Sequence, residues 1–333
     1  MTTTAKSANS TMTQQTMYRA FWGRLRDARD ILLVSPKCPD GDSVGSICAL
    51  REALALIGKA AVMFCPDDIP AAFRLLPRSH EIICDRKALT GRTFDTIVVV
   101  DAGDLDFAGI ENDLPLWRRP GSQLLVVDHH ATNEGYGDLN CIVPTASSTT
   151  QILTAIFREN DVPITAMVST CLLFGLVTDT DGFTNPAATA AALATAADLT
   201  ASGARLAPII SAAFCGKSIV ALRVWGRALE RLRLHPQWSV AVTVLIPDDF
   251  VELEDIDAAD GISNFLQAVL PVRAILVLKD RGDGLVRGSL RTQLDDVDVG
   301  AVAAFFGGGG HRKASGFGMP GRLVQEGESW KVV

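Results

Sequence analysis

No C-x-x-C pair occurs among the seven cysteines (Cys38, Cys48, Cys65, Cys84, Cys141, Cys171 and Cys215), which are widely spaced and set mostly beside apolar residues. That pattern argues against a disulfide framework or a zinc site and for reduced thiols in a cytoplasm. Long hydrophobic runs are also missing. Stretches such as 97–100 and 171–177 fall far short of the ~20 apolar residues a bilayer-crossing helix needs. Residues 1–16 are rich in Thr, Ser and Gln and lack the apolar centre of a secretory signal, so they read as a flexible tail. Positive charge is short as well: 31 Lys and Arg against 38 Asp and Glu give −7. This removes any global attraction to long duplex DNA or an anionic membrane, and an anionic ligand must be met locally. With 28 Gly and 15 Pro the chain is not fibrous, and 48% hydrophobic residues exclude a mainly disordered one. No internal repeat is visible.

What is present reads as two domains, which suits 333 residues. Residues 30–35, 60–65, 95–100 and 123–127 are buried strands with almost no polar alternation, and 43–57 is a helix ending at Gly58. Unbroken apolar strands between helices imply an α/β domain with a mainly parallel sheet and helices on both faces. Ligands then gather at the carboxyl ends of the strands. Residues 186–235 turn helical. After Pro236 come a strand (238–246), a helix (262–270), a hairpin (273–278 with 285–292) and a short helix (300–306) running into four glycines, a smaller α/β domain with a mixed sheet. The boundaries expected are a tail at 1–16, a first domain at 17–196, a helical linker at 197–236 and a second domain at 237–333.

Three strands terminate in acid. Residues 31–34 lead into Pro39-Asp40-Gly41-Asp42, 97–100 into Asp101, and 124–127 into Asp128-His129-His130, while the apolar segment 172–177 ends in Thr178-Asp179. Along one sheet edge these carboxylates repel each other, and burial would raise their pKa values unless cations neutralised them. Oxygen-rich sites with one or two His suit Mn²⁺ or Mg²⁺ better than zinc. Two such ions about 3.5–4 Å apart activate water and neutralise charge on a phosphate, the chemistry of phosphoester hydrolysis. A lone Asp after a strand is ordinarily a helix cap or turn residue, and Asp42 and Ser43 fit that role. Four such ends beside a His pair are not explained by caps alone. Gly41 and Gly45 match neither nucleotide-binding glycine motif.

The second unusual feature is Gly307-Gly308-Gly309-Gly310-His311-Arg312-Lys313-Ala314-Ser315-Gly316. Four glycines cost roughly 0.5–1 kcal/mol each relative to Ala, so an ordered run should serve close backbone approach or positive φ. Successive amides form an anion nest, to which His311 adds a donor. Between Lys279 and Lys313 six basic residues face five acidic ones, a local +1, and Arg291 is the best placed for a bidentate phosphate contact.

Taken together, Pro39 to Ser46, Val100-Asp101, Val127-Asp128-His129-His130, Thr178-Asp179-Thr180 and the 307–316 run resemble, in family order, the DHH phosphoesterase superfamily. The branch is the one whose DHH-associated C-terminal domain bears GGGH, which includes NrnA-like oligoribonucleases and pAp phosphatases. The resemblance covers about residues 17–320. It implies a cytoplasmic two-metal hydrolase, usually Mn²⁺-dependent with Mg²⁺ as the other option, acting on short oligonucleotides, linear dinucleotides such as pApA, or pAp. By resemblance, Asp40, Asp42, Asp101, His129 and Asp179 would be metal ligands, with Asp101 bridging. His130 would contact the scissile phosphate and Asp128 would orient the His pair. Arg291, Gly308, Gly309, Gly310, His311 and Ser315 would hold the substrate's other end across an interdomain cleft. Relatives are often dimeric, so a homodimer stays open.

One position departs. The family's first motif usually has a His four residues before the first Asp, where this chain has Pro36. Proline cannot ligate a metal, so weaker occupancy, a water, Cys38 as substitute, or partial neutralisation by Lys37 would follow. Two alternatives remain: a catalytically weakened nucleotide-binding or sensory protein, which Pro36 favours, and a pyrophosphatase or polyphosphatase, against which the GGGH run argues. A RecJ-like long-strand exonuclease is disfavoured because no sequence remains for an oligonucleotide-binding domain.

Overall fold

Strands with no polar alternation must be covered on both faces, and the first sheet is. In the computed structural model, which describes residues 13–214, 218–250, 258–310, 312–327 and 329–333, the chain divides into one unit up to residue 215 and another from 216 onward. The first unit starts with α1 (Gln14–Asp27), then β1 (Ile31–Val34), α2 (Gly41–Leu56), β2 (Ala61–Phe64), β3 (Ile82–Ile83) and β4 (Phe94–Val100). Two one-turn helices, α3 (Leu105–Ala108) and α4 (Leu114–Trp117), precede β5 (Arg118–Asp128) and β6 (Leu139–Ile142). Four helices complete it: α5 (Thr149–Glu159), α6 (Ala166–Asp179), α7 (Ala190–Ala201) and α8 (Leu206–Phe214). All six strands pair in parallel, in the order β3-β2-β1-β4-β5-β6.

Alternate strand residues separate two cores. Leu33, Val98, Val100, Leu125 and Val127 pack with residues of α1, α2, α5 and α6, whereas Leu32, Val34, Ile97, Val99 and Val126 pack with Phe64, Phe94 and Trp117. Helices α2 and α6 cross backbone to backbone. A Cβ on Gly45 would lie 2.6 Å from the Cys171 carbonyl oxygen, and one on Gly41 would collide with Thr178. Close helix approach is what the glycines of the first acidic motif serve.

In the second unit, α9 (Ile219–Glu230) and β7 (Arg233–His235) lead into β8 (Val240–Leu245), α10 (Ile262–Val269), β9 (Ala274–Asp280) and β10 (Leu285–Arg291). Then follow α11 (Val299–Phe305), β11 (Gly309–Gly310) and β12 (Ala314–Pro320). The sheet order is β11-β12-β10-β9-β8-β7, with β8 and β9 parallel and the other pairs antiparallel, a mixed sheet. A separate ribbon joins β13 (Leu323–Glu326) and β14 (Ser329–Val332).

Three sequence expectations change. The tail expected at 1–16 ends earlier, because Thr13 caps α1 by accepting from the Thr16 amide; its residues 1–12 lie outside the described residues. The apolar segment 172–177, grouped with the strand ends, lies in helix α6, which is buried nearly all round, so no polar face marks its period. The helical stretch 197–236 is not one linker, since Leu199 and Ile209 belong to the first unit's core while Ala221, Val224 and Ala228 belong to the second's. Among the described residues no helix is long and apolar enough to cross a membrane, and the six described cysteines are free thiols.

Candidate metal centre

The strand order reverses between β1 and β4, and in parallel sheets a crevice opens at the carboxyl ends beside such a reversal. Asp40 and Asp42 follow β1, Asp101 follows β4, and Asp128 ends β5 with His129 and His130 directly after it. Asp179 reaches the group from the last turn of α6. That is the negative end of a helix, where a bare carboxylate is electrostatically unfavourable.

His129 sits at the middle. Its Nε2 lies 3.2 Å from Asp179 Oδ2 and 3.5 Å from Asp101 Oδ1. Two overlapping sets each bring their ligand atoms within 4.8 Å of one another: Asp42, His129 and Asp179, and Asp101, His129 and His130. His129 belongs to both sets, but its nitrogen has one lone pair and serves one ion, so a bridging ligand would have to be a carboxylate such as Asp101. Asp40 stands in neither set: it is exposed, and its Oδ1 caps α2 by accepting from the Ser43 amide at 2.8 Å, the role foreseen for Asp42 and Ser43. Its charge nonetheless acts on Asp42, Asp101 and Asp179.

Burial raises the pKa of Asp101 well above the usual carboxylate range, and the charges of Asp40, Asp42 and Asp179 raise it further. Asp179 is raised the same way, by burial and then by Asp42 and Asp40. Asp42 is also raised by burial, with His129 and the Thr150 hydrogen bonds working against it. Three carboxylates that destabilise one another as anions, interleaved with imidazole nitrogens, form a hard oxygen and nitrogen donor set that fits divalent cations such as Mn²⁺ or Mg²⁺.

Asp128, fully buried, points the other way. Its Oδ1 accepts from His130 Nδ1 at 2.7 Å and its Oδ2 from Asn133 Nδ2 at 2.7 Å. Burial opposes its anion, but those hydrogen bonds outweigh it and hold the carboxyl below its usual range. Burial likewise opposes the His130 imidazolium, and Asp128 outweighs it, so His130 is raised. The pair thus orients one imidazole and favours its charged form. Asn133 ties the arrangement to the Ala102 carbonyl, which also accepts from the Tyr136 hydroxyl.

Pro36 is buried, and its carbonyl accepts from the Cys65 thiol. Lys37 pairs with Asp106, and Cys38 is exposed and in neither ligand set.

In the second unit the first half of the glycine run is committed to the fold. The amides of Gly307 and Gly308 donate to the Ala304 and Ala303 carbonyls and close α11. Gly308 also lies against Gly316 and Phe317, where a Cβ would collide. Gly309 and Gly310 form the exposed edge strand β11, and Gly310 has φ +131°. Ser315 is buried and its hydroxyl donates to the Val299 carbonyl at 2.6 Å, so this side chain holds α11 rather than a ligand. His311 lies outside the described residues. Arg291 ends β10, where its Nε donates to Asn264 Oδ1 at 2.8 Å. Most neighbouring charges are paired, Lys313 with Asp295, Arg287 with Asp283 and Arg273 with Asp296, so these side chains are engaged with one another.

Sequence reasoning missed Thr149, Thr150 and Asn133. The run Ser147-Ser148-Thr149-Thr150 carried the only signal, that of a helix start.

Against family models, residues 30–176 match the DHH family, N-terminal domain, and residues 239–328 match the DHHA1 domain. The chain is 27% identical over 311 residues, 90% of each chain, to the bifunctional oligoribonuclease and PAP phosphatase NrnA of Thermus thermophilus. It is 26% identical over 301 residues to the cyclic-di-AMP phosphodiesterase GdpP of Geobacillus thermodenitrificans, covering 86% of this chain but 44% of that protein. An exopolyphosphatase-related protein from Bacteroides fragilis shares the fold, with TM-score 0.81 at 23% identity over 91% of both chains.

Proposed function

The chain belongs to the DHH superfamily of phosphoesterases, in its NrnA-like branch, and on that premise we propose that it hydrolyses short oligoribonucleotides or linear dinucleotides such as pApA, and pAp as well. That it is a hydrolase of phosphoester bonds follows from the family. The observation that carries the site is the convergence of Asp42, Asp101, His129, His130 and Asp179 at the carboxyl edge of one parallel sheet. The substrate class is supported by what the Thermus relative is named for, at 27% identity over 90% of both chains.

Asp42, Asp101, His129 and Asp179 would hold two divalent ions, the His129 nitrogen serving one of them and the carboxylates supplying the rest, Mn²⁺ being the proposed metal. Such ions supply an activated water and neutralise the charge of the phosphate. His130, fixed through Nδ1 by Asp128, keeps a proton at Nε2 to donate to a phosphate oxygen or the leaving oxygen. Asn133 prevents Asp128 from turning away. Arg291 and the edge backbone of Gly309 and Gly310 are the proposed anchor for a second phosphate. The proposed location is the cytoplasm, in keeping with free, largely buried cysteines.

Hydrolysis of pApA, short RNAs, pAp, cyclic dinucleotides and pyrophosphate with Mn²⁺ tests this. Turnover of a short linear member is expected, and turnover of pyrophosphate alone would refute the substrate class. Pro36 favours one second reading, a nucleotide binder with weakened turnover, which calorimetry would reveal as tight binding without cleavage. On the enzyme reading, Pro36→His lowers the Mn²⁺ concentration needed for half-maximal turnover.

A further inference from the structure

The first turn of α5 makes an unusual set of hydrogen bonds. A helix start leaves its first amides without partners inside the helix, and its own cap residue ordinarily takes one or two. Here Ser148 caps only the Gln151 amide, at 3.0 Å. The Thr149 amide donates to Asp42 Oδ2 at 2.6 Å, and the Thr150 amide and hydroxyl donate to Asp42 Oδ1 at 3.0 and 2.7 Å. Asp42 comes from α2, 107 residues earlier. A carboxylate at a helix N-terminus is in favourable field, so this arrangement both holds Asp42 and supports its anion.

Thr149 does a second thing. Its hydroxyl donates to Asp101 Oδ1 at 3.1 Å, the oxygen that lies 3.5 Å from His129 Nε2 and 3.7 Å from His130 Nδ1. Among the described residues this is the one hydrogen bond the Asp101 carboxylate receives. Asp101 itself has φ +54°, at the point where the chain leaves β4. Without the hydroxyl, no other hydrogen bond among the described residues selects which of its oxygens faces the imidazoles. Thr149 is fully buried, and its β-branched side chain has few rotamers.

We propose that Thr149 is a positioning residue for the metal centre, its amide fixing Asp42 and its hydroxyl turning Asp101, so that one rigid residue sets the spacing of two carboxylates from different strand ends. The inference rests on the reading of Asp42 and Asp101 as metal ligands, but not on any particular substrate. Partners that orient ligating carboxylates are typically worth 10- to 100-fold in metal affinity.

Thr149→Val removes the hydroxyl and keeps both the shape and the amide; Thr149→Ser keeps the hydroxyl. The full-length chain, freed of metal, is titrated with Mn²⁺ by calorimetry, with thermal unfolding as the check on folding. The expected result is Mn²⁺ binding about 10- to 100-fold weaker in Thr149→Val and restored in Thr149→Ser. Turnover of Thr149→Val at saturating Mn²⁺ should return toward the parent's, which a general loss of structure would not allow. If Thr149→Val does not fold, Thr149→Ala removes the same hydroxyl with less bulk and is read the same way. A folded Thr149→Val that binds Mn²⁺ as tightly as the parent overturns the proposal while leaving the metal reading intact. A parent chain that binds no Mn²⁺ overturns both.

Discussion

The two units present their polar groups at sheet margins in opposite ways. At the carboxyl edge of the first sheet, Asp42, Asp101 and Asp128 are buried and held by hydrogen bonds from other elements. At the margin of the second sheet, Gly309 and Gly310 are exposed on an edge strand, with open space around Gly309. The contrast follows from charge. Carboxylates that repel one another stay together only if the fold fixes each of them, whereas an anchor for an incoming phosphate needs donors left facing outward. Substitutions at the first margin should therefore abolish chemistry, and substitutions at the second should weaken binding.

The largest effect is expected from Asp101→Asn, which removes the charge beside His129 and His130. Turnover should fall to background with the fold retained, as followed by a nucleotide assay and circular dichroism. Retained turnover would remove Asp101 from the centre. Next comes Arg291→Ala at the other margin. Charge-assisted contacts contribute about 1.5–3 kcal/mol, so KM should rise roughly tenfold or more while kcat at saturation is kept. A fall in kcat with unchanged KM would erase the contrast between the units.

The stability of the metal-free chain should also separate them. Asp42, Asp101 and Asp179 are raised, so the folded state keeps their protons longer than the unfolded chain, and stability falls as pH rises from the ordinary carboxylate range toward the raised values. His130, also raised, adds to this decline above its ordinary range, whereas the lowered Asp128 contributes stability that is lost only as pH falls through its folded value. Mn²⁺ should offset the decline, raising the melting temperature more near pH ~8 than near pH ~5. An equal rise at both would contradict it. The smallest effects come from paired glycine substitutions. Gly308→Ala, which meets Gly316 and Phe317, should cost about 1–3 kcal/mol in denaturant unfolding, and Gly309→Ala, with open space around it, much less.

How far the sequence was legible follows the same division. Short apolar strands ending in Asp reveal both the parallel sheet and the positions of Asp42, Asp101 and Asp128, because several such ends beside a His pair are more than helix caps explain. Asp179 was legible as a member but not as part of a helix, since α6 is buried on nearly every side and shows no polar stripe. The commitments of single residues were not legible at all. Ser315 bonds the Val299 carbonyl, Asp40 caps α2, and Gly308 closes α11, each through the way the chain folds back on itself. Thr149 and Thr150 read as a helix start because their partners lie far away in sequence.

The central claim is that the carboxyl edge of the first sheet is a divalent metal centre. A crystal structure of the full chain grown with Mn²⁺, with anomalous scattering recorded at the manganese edge, tests it most directly. The account predicts anomalous peaks at that edge, one within bonding distance of His129, Asp42 and Asp179 and a second beside Asp101. A fully formed edge with no peak there, at Mn²⁺ concentrations that support turnover, would contradict it.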